Sequence, residues 1–252
     1  MLIDTHAHIY KEYYENIDDI ITEATTNGIQ YIFNAGINFE TNKEILETSE
    51  RYNNVYISLG IHPECVNDYK LEDLLHIENN LSHTKVIAIG EIGLDYHYEN
   101  YNKEKQIELF IKQLEMAQKY NFPVIIHSRE ATNDTLNILK KYRLKGIIHS
   151  FSGSMETAKE YIKLGYKLGI NGVVTFKNAH IKEVIRELGI ENFVLETDSP
   201  YLTPVPYRGN KNYPTHIKTI AEFLSEYLNI GIEDISLITE RNIRSIFDKF
   251  LE

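Results

Sequence analysis

His6 and His8 flank an alanine inside the apolar stretch 2–8. Side chains at i and i+2 of an extended strand leave the same face, so the two imidazoles project together from the strand's C-terminal end. Neutral imidazole is a good donor to divalent first-row ions, and two that close can hold one ion. Alone, an H-x-H is more often two unrelated polar residues. Here it has company. Glu91 ends the small and apolar run 86–90, His127 ends 124–126, His149 ends 146–148, and Asp198 follows 193–195 after Glu196 and Thr197. His76, His83 and His180 fall in polar stretches and read as solvated surface residues.

The combination points to a two-ion site. His6, His8 and Asp198 would hold one ion, and His127 and His149 the other. Glu91 is the natural bridge, because a carboxylate's two oxygens can span ions about 3.5–4 Å apart. Two cations keep that carboxylate ionised and acidify a water between them to near neutrality. Asp198 is placed to orient that water and accept its proton. Imidazole suits Zn²⁺ or Mn²⁺, while the oxygen ligands tolerate Mg²⁺, so ligand identity leaves the metal open.

Other residues suit an anionic substrate. His62 follows Gly60 at i+2 and is expected at the same mouth, donating to a phosphate oxygen or a leaving group; the alternative is a turn signal in His62-Pro63. Arg129 shares a face with His127, and Arg208 lies in the proline-rich loop 204–214. Arginine grips phosphate bidentately; an ion pair within the loop is the other reading of Arg208. Lys177 is a weaker candidate of the same kind. Asp95 is expected to orient a metal-binding histidine. Glu196, deeper in the interior, needs hydrogen bonds to be tolerated there. For Tyr96, Tyr98 and Tyr101, packing is preferred to stacking on bases. Cys65 reads as an inert turn residue.

These residues need a frame. Apolar runs at 2–8, 31–37, 55–62, 86–94, 124–129, 146–151, 166–170 and 193–199 read as strands, with amphipathic segments between them. In 102–120, Ile107, Phe110, Ile111, Leu114 and Ala117 recur at helical spacing. Further helices are expected at 214–228 and near 235–250, the last carrying Ile235, Ile238, Ile246, Phe247 and Phe250. Eight strand–helix units in 252 residues match a (β/α)₈ barrel. A doubly wound sheet uses the same alternation, but its glycine fingerprint is missing after the first strand, where the chain reads DTHAHIY. Ligand candidates at strand ends favour the barrel, whose active sites gather on that rim. Residues 1–252 read as one domain without a linker.

Composition narrows the function classes. The chain is 42% hydrophobic and 25% charged, as a globular protein is. Lysine plus arginine is 26 against 37 acidic residues, a net charge of -11. That excludes a nucleic-acid coat held by a basic surface, but not an enzyme whose bound cations supply local positive charge. One cysteine rules out an intramolecular disulfide, which fits a reducing compartment. A signal peptide is not expected, nor a spanning helix, so the expected location is cytoplasmic with no membrane contact. The absence of a leftover apolar stripe favours a monomer.

The segments IDTHAHI, GIHPE, GEIGLDYHY, PVIIHSREA, HSFSG, GVVTFKNA, LETDSPYLTPVPYRGNKNYP and TERNIRSIF resemble, in order, the signatures of the TatD family of metal-dependent deoxyribonucleases. They run from the first strand to the last helix. The resemblance implies a TIM barrel of the metallo-dependent hydrolase type with an extra C-terminal helix. It implies two divalent ions held by His6, His8, Glu91, His127, His149 and Asp198. It also implies 3′→5′ exonuclease activity on DNA ends, preferably single-stranded. An alternative keeps the site and changes the substrate to another ester or an amide, such as a D-aminoacyl-tRNA ester. Many amidohydrolase-like proteins carry lysine at the bridging position; Glu91 here counts against an amide. A metal-binding barrel without turnover is disfavoured by the intact Asp198.

Overall fold

In the computed structural model, which describes residues 1–247 and 250, the apolar runs become eight parallel strands. They are β1 (Leu2–Ala7), β2 (Ile29–Ala35), β3 (Val55–Leu59), β4 (Val86–Asp95), β5 (Val124–Arg129), β6 (Gly146–Ile148), β7 (Tyr166–Ile170) and β8 (Phe193–Leu195). Each pairs with the next in sequence. A parallel bridge between Ala7 and Ser199 joins the last segment to the first and closes the ring. The helices between and after them are α1 (Ile17–Thr26), α2 (Phe39–Arg51), α3 (Leu71–Asn80), α4 (Lys103–Tyr120), α5 (Thr132–Leu139), α6 (Met155–Lys163), α7 (Ile181–Leu188), α8 (Ile217–Leu228) and α9 (Ile232–Ile246). The fold is the expected (β/α)₈ barrel with an extra C-terminal helix.

Parallel strands covered by helices outside and packed side chains inside are apolar on both faces. In β4 all ten residues are buried. The helices start and stop on local chemistry. Asn38 and Thr41 exchange hydrogen bonds in a capping box that opens α2. Asn121 closes α4 in the left-handed region, at φ 55°.

One end of the barrel is plugged. Ile3, Ile87, Ile125, Ile147 and Val194, each the second residue of its strand, pack with Ile243, Ile246, Phe247 and Phe250 from α9 and beyond. The C-terminal ends of the strands are left for a site. The last helix begins three residues before the expected start; expected positions 248 and 249 lie outside the described residues.

Four strands are shorter than their apolar patterns predict: β1 stops at Ala7, one residue early, and three others stop three or four residues early. The runs 55–62, 146–151 and 193–199 stop at Leu59, Ile148 and Leu195. Beyond them the backbone turns: His62 caps a 3₁₀ turn at Pro63–Cys65, while Ser150 and Asp198 take left-handed φ of 49° and 56°. Glu91 differs in the opposite sense. It does not end its strand, because β4 continues to Asp95, with a register shift against β5 between Ile89 and Ile92. Among the described residues, no helix is long and apolar enough to cross a membrane.

Candidate metal centre

The first strand and its end bury Asp4, His6 and His8. His6 Nε2 and His8 Nε2 lie 3.2 Å apart. Glu91 Oε2 sits 3.3 Å from His6 Nε2 and 3.5 Å from His8 Nε2. Its other oxygen, Oε1, lies 2.9 Å from His127 Nδ1 and 3.7 Å from His149 Nε2. Asp198 Oδ1 is 3.5 Å from His8, 3.7 Å from His149 and 3.9 Å from His6. The two oxygens of Glu91 thus face different imidazoles, but the cluster is continuous: the His6 and His149 rings stack at 3.7 Å, Asp198 reaches His6, His8 and His149, and His127 groups with His62 and Glu91. His62 Nε2 also reaches within 3.7 Å of Glu91 Oε1.

The outward nitrogens show why the inward ones are available. His8 Nδ1 lies 2.9 Å from the Tyr10 hydroxyl and 3.2 Å from the Ala35 carbonyl. His127 Nε2 lies 2.8 Å from Asp95 Oδ2, and His149 Nδ1 lies 3.0 Å from Glu196 Oε1. Carboxylates and carbonyls in these places fix a ring's tautomer and aim its other nitrogen. Asp95 thus stands behind a histidine, as expected, and Glu196, buried as expected, stands behind His149 and accepts the Ser150 N–H. A cluster of imidazole nitrogens around two buried carboxylates is a donor set that suits divalent cations.

Charge follows from this packing. Burial opposes ionisation of Glu91, but His149, His6 and His62, with the His127 hydrogen bond, hold its carboxyl well below the usual range. Burial likewise opposes charge on His149, yet the carboxylates of Glu196, Asp198 and Glu91 lift it to about 10. His127 rises to about 9 against its burial, through its bonds to Asp95 and Glu91. His62 moves the other way, to about 3, driven by burial and the neighbouring His127.

The close approach of these groups depends on two glycines. A Cβ on Gly60 would lie 2.6 Å from the Gly90 carbonyl carbon and 2.8 Å from the Glu91 nitrogen. A Cβ on Gly169 would lie 2.2 Å from Glu196 Oε2. The first lets the β3 end pass the Glu91 backbone; the second leaves room for a buried carboxylate.

Buried carboxamides hold the loops. Asn34 brackets Ile9, accepting its N–H at 2.8 Å and donating to its carbonyl at 3.1 Å. Asn42 does the same for Gly60, Gln113 for Ile61 and Gln106 for Asp95. Asp4 accepts from the Thr197 N–H and hydroxyl, beside Asp198, and burial pushes its carboxyl up to about 8 against those donors. Sequence reasoning missed all of these. The available signals were a polar residue two before His6 and two glutamines, seven apart, interrupting the apolar side of α4.

The donor set opens into a cleft of about 690 Å³. Arg129 lines it and is exposed, its guanidinium 5.4 Å from the Tyr98 ring centre. Arg208 does not line it. Its guanidinium stands 4.3 Å from the Phe176 ring centre, on a loop tied back by Thr203 to Asn210. Lys177 is exposed and also outside the lining. Tyr96 and Tyr101 stack on each other at 4.7 Å, as packing predicts, whereas Tyr98 is 52% exposed and faces the cleft. Cys65 is half-buried away from the cleft, and burial pushes its thiol up to about 11.

The chain matches the family model described as TatD related DNase over residues 3–248. It is 40% identical over 252 residues to the uncharacterized metal-dependent hydrolase YabD of Bacillus subtilis (strain 168), covering 98% of this chain and 99% of that protein. The crystal structure of YjjV, a TatD homologue from Escherichia coli K12, superposes with a TM-score of 0.92 at 29% identity over 98% of both chains. A hydrolase TatD family protein from Entamoeba histolytica superposes with a TM-score of 0.84 at 25% identity, over 98% of this chain and 97% of that one.

Proposed function

The chain belongs to the TatD-related DNase family, and from that membership and this site we propose that it is a metal-dependent phosphodiesterase. Its proposed substrate is DNA, preferably single-stranded, shortened from the 3′ end. One observation carries the reading: at the floor of one cleft Glu91 Oε2 faces His6 and His8 while Oε1 faces His127 and His149.

His6, His8 and Asp198 would hold one cation and His127 and His149 a second, with Glu91 shared. Divalent cations bound there supply Lewis-acid charge to a phosphate oxygen and lower the pKa of water. Asp198, ionised because the nearby histidines outweigh its burial, accepts the proton of the attacking water. The Glu64 N–H donates to His62 Nδ1 at 3.3 Å, which leaves the ring's proton on Nε2, toward Glu91. His62 is therefore a neutral hydrogen-bond donor for a phosphate oxygen or the departing 3′-oxygen. Arg129 offers the rim a bidentate phosphate grip. Attack at phosphorus breaks the P–O3′ bond. The released nucleotide keeps the phosphate, and the shortened strand ends in a 3′-hydroxyl.

The test is hydrolysis of end-labelled single-stranded DNA by metal-stripped protein, with Mg²⁺, Mn²⁺ or Zn²⁺ restored singly. The expected result is metal-restored loss of nucleotides from the 3′ end. Protein that rebinds metal and leaves DNA intact overturns the reading and directs the search to other esters and amides.

A further inference from the structure

Two tyrosines frame the cleft from opposite sides. In a ring of eight strands, β4 and β8 are four strands apart, so the loops that follow them face each other across the mouth. Tyr98 lies three residues after Asp95, the partner of His127. Tyr201 lies three residues after Asp198 and donates its N–H to the Asp198 carbonyl. Each therefore stands beside a different half of the donor set. Both line the cleft, and they are 52% and 49% exposed.

Both rings are also held in place. The Tyr201 hydroxyl donates to Tyr13 at 2.8 Å, and its ring meets that of His8 at 69°, with 6.2 Å between centres. Tyr98 has Arg129 above its ring and His97 at 5.2 Å. Two other exposed tyrosines have an aromatic ring stacked on one face, Tyr101 on Tyr96 and Tyr207 on His216 at 4.7 Å, whereas the aromatic neighbours of Tyr98 and Tyr201 meet them edge-on and Arg129 covers one face of Tyr98. An anchored, half-exposed aromatic ring beside a phosphate site is a platform for a nucleobase, whatever the base, because every base has a π-face.

Resting on the phosphodiesterase reading, we infer that Tyr98 and Tyr201 stack the nucleobases on the two sides of the scissile phosphate. The site then takes an unpaired nucleotide on each side of the bond. In a duplex, neighbouring base pairs already cover those faces, so the two tyrosines select frayed or single-stranded ends.

The experiment uses the metal-loaded full chain and three end-labelled oligothymidylates. One is intact; in the others a tetrahydrofuran spacer replaces either the 3′-terminal or the penultimate nucleoside. Cleavage of the terminal bond is followed for wild type, Tyr98→Ala, Tyr201→Ala and the two phenylalanine variants. Wild type is expected to lose roughly 5- to 150-fold in kcat/KM for each missing base, the range of one base–aromatic stack. Each alanine variant should lose a similar factor on the intact strand and become indifferent to one of the two bases, a different one for each tyrosine. The phenylalanine variants keep a stacking ring and should keep sensitivity to both missing bases, Tyr201→Phe with a lower rate because it loses its hydrogen bond to Tyr13. Alanine variants that keep wild-type sensitivity to both bases, or both lose sensitivity to the same one, overturn the inference while the phosphodiesterase reading stands. A wild type that leaves all three strands intact overturns both.

Discussion

Gln113 brackets Ile61: its Oε1 accepts the Ile61 N–H at 2.8 Å and its Nε2 donates to the Ile61 carbonyl at 3.0 Å. The next residue is His62, so a helix side chain sets the height at which that imidazole enters the cleft. Replacing Gln113 with leucine keeps the bulk and strands two buried backbone groups. Each such group costs about 1–3 kcal/mol. Gln113→Leu is expected to lose about 2–6 kcal/mol in urea denaturation, and to lose kcat beyond what the folded fraction explains. Stability within about 0.5 kcal/mol of wild type would show that the bracket is dispensable.

Asp198 is given the role of proton acceptor as well as ligand. Asp198→Asn keeps the shape and one oxygen but removes the base. A general base contributes about 10²–10⁴-fold, and a loss of that order is expected in kcat with metal content measured alongside. Metal retained together with unchanged hydrolysis would sink the assignment.

The metal-free site stores protons. His127 and His149 rise to about 9 and about 10, against about 6.5 for free imidazole. A folded-state pKa above the unfolded value stabilises fully below the unfolded pKa, and the effect is lost as pH rises through the folded one. The metal-free protein should therefore weaken between about pH 6.5 and 10, by up to about 1.4 kcal/mol per pH unit for each histidine. Cations need these nitrogens unprotonated, so binding at pH 7.5 should release about two protons. Calorimetry in buffers of different ionisation enthalpy measures that number. A value near zero would mean that both rings are neutral before metal arrives.

What could be read in the sequence was whatever depends on regular spacing. His6 and His8 converge because strand geometry puts i and i+2 on one face. The α4 helix was legible because eighteen residues repeat at helical period. Strand ends were not, since the runs continue in composition where the backbone turns. At Asp198 the turn is imposed from elsewhere, by the His6 carbonyl that takes its N–H and by Asp4, which accepts the N–H of Thr197. Arg208 lay beyond such reasoning for the same cause. A loop side chain goes where it finds a partner, and Phe176, distant in sequence, is that partner.

Gly169 offers a test of how far support for the centre extends. It lies on β7, and no metal-ligand candidate is on that strand. A methyl group there would fall 2.2 Å from Glu196 Oε2, in a buried pocket where neither side can yield cheaply. Gly169→Ala should therefore push the Glu196 carboxylate off its position 3.0 Å from His149 Nδ1. Groups that orient a ligating histidine typically contribute about 10- to 100-fold in metal affinity, and a loss of that size is expected in competition with a chelator. Glu196→Gln should weaken binding by a similar factor. The double variant should be scarcely worse than either single one, because both remove the same support. Independent, multiplying losses would instead mean that Gly169 serves the barrel wall and not His149.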